Sequence, residues 1–197
     1  MKSLYLRSVV AIACAASLAA CGGGKGNLAL GGSVVGLFKP GLVLANGSSK
    51  APVAAGATTF TFPDLIGSDT NYEVTIAEPG PTGAKCNVIN GKGKSSDFNV
   101  NTVQVVCTTN QYELGGTIAG LDRKGLVLLN GADPLPLDAN TKQFTFGRKV
   151  DDGASYGVTI SQSPVGLNCN FATNTNVGTM GSAPVNTIQV VCLQLPG

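Results

Sequence analysis

The feature that most constrains the fold is that the chain is written twice. Leu30-Gly31-Gly32-Ser33-Val34-Val35-Gly36-Leu37 returns 84 residues on as Leu114-Gly115-Gly116-Thr117-Ile118-Ala119-Gly120-Leu121. Gly41-Leu42-Val43-Leu44 returns as Gly125-Leu126-Val127-Leu128, Asn46-Gly47 as Asn130-Gly131, and Phe60-Thr61-Phe62 as Phe144-Thr145-Phe146. Tyr72-Glu73-Val74-Thr75-Ile76 matches Tyr156-Gly157-Val158-Thr159-Ile160, and Asn101-Thr102-Val103-Gln104-Val105-Val106-Cys107 matches Asn186-Thr187-Ile188-Gln189-Val190-Val191-Cys192, now 85 residues on. Self-similarity at a fixed period means repeated structural units. The expected organisation is a leader over 1–20, a short flexible tether over 21–27, and two homologous units over 28–109 and 110–197. Thr108-Thr109-Asn110-Gln111 reads as the linker, and four residues leave little slack, so a stiff two-unit rod is expected.

Each unit reads as strands. Val74 and Ile76 alternate with Glu73 and Thr75, and Val103 and Val105 with Thr102 and Gln104, the period of a sheet with one buried face. Gly and Asn-Gly break the runs at turns. Short strands are expected near 29–36, 41–46, 58–62, 71–78, 84–90 and 100–108, and again one repeat later. That spacing implies an all-β fold of two tandem sandwiches or small barrels.

Composition removes whole classes of chemistry. The 197 residues include no histidine, so a Ser-His-Asp triad, a Cys-His pair and histidine-ligated zinc or haem are excluded. The formal charge is +2, with 13 basic and 11 acidic residues. Lys2 and Arg7 belong to the leader, which leaves 11 of each sign, and no run of like charge offers a footprint for nucleic acid. No cofactor is expected.

Lys2 and Arg7 precede a short apolar run from Ser8 to Ala20, the layout of a secretory signal too short to span a bilayer permanently. The run ends Leu18-Ala19-Ala20-Cys21 before three glycines. This resembles a bacterial lipobox. The resemblance implies cleavage before Cys21, a diacylglyceryl thioether with palmitate-type acylation, and a stable membrane anchor, because two or more acyl chains hold where one does not. Gly22 in place of aspartate implies sorting to the outer membrane. The plainer alternative is an ordinary signal peptide that leaves Cys21 as a free thiol.

The six cysteines can then be apportioned. Cys14 leaves with the leader and Cys21 carries the lipid. Cys86 with Cys107 and Cys169 with Cys192 occupy equivalent places in the two units, so one disulfide per unit is the simplest pairing in an oxidising compartment. The rival is a metal site of four thiolates, for which the wide spacing and the lack of a C-x-x-C are poorly suited.

The string G-x-V-x-G-L, L-V-L-x-N-G, F-T-F and G-x-x-Y-x-V-T-I resembles the prealbumin-like β-sandwich repeats of bacterial surface proteins, of the carboxypeptidase-regulatory-like and Cna-B types. It is also similar to tandem Ig-like repeats of bacterial lipoproteins. These motifs are turn and core residues, so they imply fold and leave function open. Some Cna-B-type domains carry a lysine–asparagine isopeptide from the first strand. Residues 28–36 and 112–120 hold no lysine, so none is expected here.

Few residues stand out as sites. The aromatics Phe60, Phe62 and Tyr72, with Phe144, Phe146 and Tyr156, read as core. Phe38, whose mate is Asp122, reads as a loop aromatic and a candidate for partner contact. Asp151-Asp152-Gly153 is the densest acidic spot and reads as a solvated turn without calcium-loop spacing. Recognition is expected on the stretches where the units differ most, 48–58, 77–85 and 89–100 with their mates, or on sheet edges. The function implied is a non-enzymatic envelope lipoprotein with a structural or adhesive role, whose partners are the membrane and an envelope protein or polysaccharide. The alternative is a periplasm-facing accessory or carbohydrate-binding module.

Overall fold

The computed structural model describes residues 26–196. Cys14 and Cys21 lie outside the described residues. The first unit contains β1 (Leu30–Val35), β2 (Leu42–Asn46), β3 (Ser49–Val53), β4 (Thr59–Thr61), β5 (Asn71–Ile76), β6 (Ala84–Ile89), β7 (Lys92–Lys94) and β8 (Val100–Thr109). The second contains β9 (Gln111–Tyr112), β10 (Leu114–Ala119), β11 (Leu126–Asn130), β12 (Asp133–Leu137), β13 (Gln143–Thr145), β14 (Val150–Asp151), β15 (Ser155–Gln162), β16 (Leu167–Phe171), β17 (Val177–Thr179) and β18 (Val185–Gln194).

Each unit is a sandwich of two four-stranded sheets. In the first the orders are β4-β1-β8-β6 and β3-β2-β5-β7; in the second, β13-β10-β18-β16 and β12-β11-β15-β17. β9 and β14 form an additional short ribbon, whose counterpart in the first unit is the bridge between Leu28 and Ile66. Alternation builds the cores. Leu30, Val34, Val103 and Val105 from one sheet meet Leu42, Leu44, Ala51 and Val74 from the other in one buried cluster. Leu114, Ile118, Ile188 and Val190 meet Leu126, Leu128, Leu137 and Val158 in a second, separate one. The fold is all-β, as the alternation predicts.

The first and last long strands of each unit lie side by side and run parallel, β1 on β8 and β10 on β18. Two positions explain the glycine pair that opens each repeat. A Cβ on Gly32 would overlap the Val103 carbonyl, and one on Gly116 the Ile188 carbonyl. The register slips at this point in both units, between Leu30 and Gly32 and between Leu114 and Gly116. Glycine here lets the neighbouring strand bulge against bare backbone.

Besides the β9–β14 ribbon, two strands in each unit escape the sequence pattern. β3 lies in the stretch 48–58 and β7 in 89–100, both expected to be loops. β3 carries Pro52, and its counterpart β12 carries Pro134 and Pro136. Proline reads as a strand breaker, yet β3 and β12 are edges, where a missing N–H costs no ladder bond and discourages pairing with another chain. β7 is only Lys-Gly-Lys. Its Gly93 pairs with Tyr72, and a Cβ there would lie 2.5 Å from the Tyr72 hydroxyl. The Tyr156–Gly178 pair repeats this arrangement, so each aromatic ring covers a glycine on the neighbouring edge strand. The linker also differs from expectation: β8 continues through Thr109 and β9 begins at Gln111, leaving Asn110 alone between them.

Candidate functional site

The place where the two units meet is the most elaborated polar site among the described residues. Lys39 stands in the loop after β1, behind the buried Leu37, and Asp152 follows β14 of the other unit. Lys39 Nζ lies 2.6 Å from Asp152 Oδ1 across 113 residues of sequence. Their side chains are only 17% and 14% exposed. Two glycines make room for the pair. A Cβ on Gly153 would stand 2.5 Å from Lys39 Nζ, and one on Gly83 would stand 2.7 Å from Asp152 Oδ1. The backbone closes the joint: Asn110 N donates to Gly83 O at 2.9 Å, and Asp152 N donates to Asn110 O at 2.8 Å. The single linker residue is thus bonded to both units.

This corrects the reading of Asp151-Asp152 as a solvated turn. Asp151 Oδ1 accepts from Gln111 Nε2 at 2.6 Å, while Asp152 turns to Lys39. Adjacent carboxylates serve different partners, an arrangement unlike a cation loop. Among the described residues no three His, Cys, Asp or Glu side chains converge as metal ligands.

The other singled-out residues fall into place. Phe60 with Phe62 and Phe144 with Phe146 are buried edge-to-face pairs with ring centroids 5.9 Å apart. Tyr72 and Tyr156 are half-buried at the core margin. Phe38 is 75% exposed beside the half-buried Lys39. Cys86–Cys107 and Cys169–Cys192 are disulfides, each between directly paired residues of adjacent strands, β6 with β8 and β16 with β18.

The far end of the second unit carries the positions that match Phe38 and Lys39. Arg123 takes the place of Lys39, but folds back on Asp122, with Nε 2.8 Å from Oδ1 and Nη2 3.1 Å from Oδ2. The Arg123 hydrogen bond holds the Asp122 carboxyl below its ordinary value, and Asp122 in turn raises the guanidinium's. At the near end of the first unit, Ser68 stands where Asp152 would be. There a buried Ser95 hydroxyl donates to Gly67 O at 2.6 Å and accepts from Thr70 N at 3.0 Å. The second unit fills the equivalent position with the buried Met180, whose carbonyl accepts from Gly153 N just as the Ser95 carbonyl accepts from Asp69 N. Among the described residues the lysine–aspartate geometry therefore occurs once. The cue in the sequence was the Lys39 and Asp152 types standing at opposite ends of homologous units, which reads as a pair only once the units are stacked.

The fold and this joint define a class: a tandem all-β protein of two disulfide-bonded sandwiches coupled end to end. No protein-family model matches the chain, and no curated protein matches it in sequence. Among solved structures it is similar to the major pilin protein T-13 from Streptococcus pyogenes, at 13% identity and TM-score 0.33, over 84% of this chain and 95% of the pilin. It is also similar to a streptococcal ancillary pilin, at 14% identity and TM-score 0.30, over 86% of this chain and 63% of that one.

Proposed function

We propose that this chain is a non-enzymatic envelope lipoprotein, anchored through Cys21 to the outer membrane, that presents its two sandwich units in a structural or adhesive role. The observation that carries the reading is the half-buried Lys39–Asp152 pair and the one-residue linker beside it. A protein that only needed two binding modules could join them by a loose tether, whereas this joint fixes one unit on the other. The lipobox-like Leu18-Ala19-Ala20-Cys21 supports anchoring at the end from which the units project. Among the described residues no helix is long and apolar enough to cross a membrane.

Protease treatment of intact cells, with a periplasmic marker as control, tests the role. Loss of the full-length protein from unbroken cells is expected for surface display. Protection until the envelope is ruptured would instead place the units in the periplasm and replace adhesion by an accessory role within the envelope.

A further inference from the structure

The two units differ at the end where each receives the chain. In the second unit this end docks on the first, and the residues flanking the entry are Lys149 and Ala183. In the first unit the same positions are Leu65 and Phe98, which are 51% and 78% exposed. They flank the entering segment from opposite sides. Leu28 exchanges both backbone bonds with Ile66, N to O at 3.1 Å and O from N at 2.9 Å. Ala29 N donates to Asn99 Oδ1 at 2.8 Å, and Ala29 O accepts from Val100 N at 2.9 Å. Gly26 lies so close to this edge that a Cβ there would overlap the backbone of Ile66. The chain therefore arrives between one exposed leucine and one exposed phenylalanine.

What faces them is set by the chain that precedes them. Only six residues, 22–27, lie between Cys21 and Leu28, and the seven steps from one to the other reach at most about 25 Å fully extended. We infer that Leu65 and Phe98 are a membrane seat: they enter the lipid–water interface of the leaflet that holds the acyl chains of Cys21. This rests on the anchoring reading above and extends it from a tether to a defined contact. Aromatic and aliphatic side chains favour that boundary, where an apolar body can leave water without a full bilayer crossing. Asp64 and Asp97 stand beside the two apolar residues in sequence, so the contact gains nothing from anionic lipid and rests on the Leu65 and Phe98 side chains. A single acyl-anchored point would leave the unit free to tilt. Two side chains on either side of the anchor fix its end against the surface.

The chain has no tryptophan, so one introduced indole reports one site. The full-length lipoprotein carrying Phe98→Trp, Leu65→Trp or, at the opposite end, Val165→Trp is purified, its lipid mass verified, and reconstituted in phosphatidylcholine vesicles with brominated acyl chains. Blue-shifted emission quenched by the bromines is expected for Phe98→Trp and Leu65→Trp, and water-exposed, unquenched emission for Val165→Trp, since Val165 is itself exposed. Unquenched emission at all three sites on a protein whose mass includes the lipid would overturn the seat and leave the anchor standing. A mature protein whose mass carries no lipid on Cys21 would overturn the anchor, and the seat with it. Because all three positions are exposed, the variants keep the core intact.

Discussion

Breaking the Lys39–Asp152 pair should uncouple the two units, and a double-mutant cycle measures by how much. At 2.6 Å and an effective dielectric near 20, the gross attraction is about 6 kcal/mol. Desolvating two side chains that retain only 17% and 14% of their exposure removes most of it. The net coupling expected is about 1–2 kcal/mol, above the range of about 0.2–1 kcal/mol for exposed pairs. The cycle uses Lys39→Met and Asp152→Asn, which keep volume while removing charge. Its internal control is Lys92–Glu73, a pair of similar length, 2.7 Å, with side chains 75% and 56% exposed. Urea unfolding of the four variants gives the coupling, and calorimetry reads its consequence. In the parent protein the two units should melt in one overlapping transition; in Asp152→Asn the transitions should separate. If the coupling at Lys39–Asp152 is no larger than at Lys92–Glu73, then burial does not strengthen this pair and the joint does not fix the units.

Removing either disulfide, by Cys86→Ser with Cys107→Ser or by Cys169→Ser with Cys192→Ser, should cost about 3 kcal/mol, since sequence separations of 21 and 23 close loops of nearly equal length; urea midpoints compare the two, and a loss confined to one unit would contradict their equivalence. Gly32→Ala or Gly116→Ala should cost about 3 kcal/mol or more through collision with a neighbouring carbonyl, whereas Gly147→Ala, with open space around it, should be neutral to slightly stabilising by about 0.5 kcal/mol, as read by thermal melting. The Asp122 carboxyl should titrate below its ordinary value of 3.8, and Arg123→Gln should restore it, as followed by carboxyl NMR shifts. With the folded value depressed, any stability from this pair is present above 3.8 and lost as pH falls through the lower folded value; a midpoint at or above 3.8 would contradict the hydrogen bond from Arg123.

The parts of this fold legible in the sequence were those with a periodic or duplicated signal. Val103, Val105 and their mates alternate cleanly because one face of β8 is buried, and alternation is what a reader can see. Cysteines at matched positions in two copies suggested their pairing. β3 and β7 carried no such signal: Pro52 argues against a strand until its place on an edge is known, and Lys-Gly-Lys has no buried face to mark. Lys39–Asp152 was illegible for a different reason. Each residue alone is a charged loop residue, and their meeting depends on stacking two units whose ends differ in type. Phe98 and Leu65 went unread because an exposed apolar residue is ordinary, and their interest comes from comparison with Lys149 and Ala183, one repeat away.

The parallel pairing of first and last long strands has a mechanical consequence. A load applied along the chain across both units enters each unit at the start of β1 or β10 and leaves at the end of β8 or β18. Because these strands are neighbours running in the same direction, the load slides one along the other. The bonds between them are then stressed together instead of parting one at a time, as they would if the strands were peeled from their ends. The segments between Cys86 and Cys107 and between Cys169 and Cys192 are closed by covalent bonds, so they contribute no slack even if the sheets part. A chain built this way resists being drawn out and, once yielding, lengthens by less than its residue count allows.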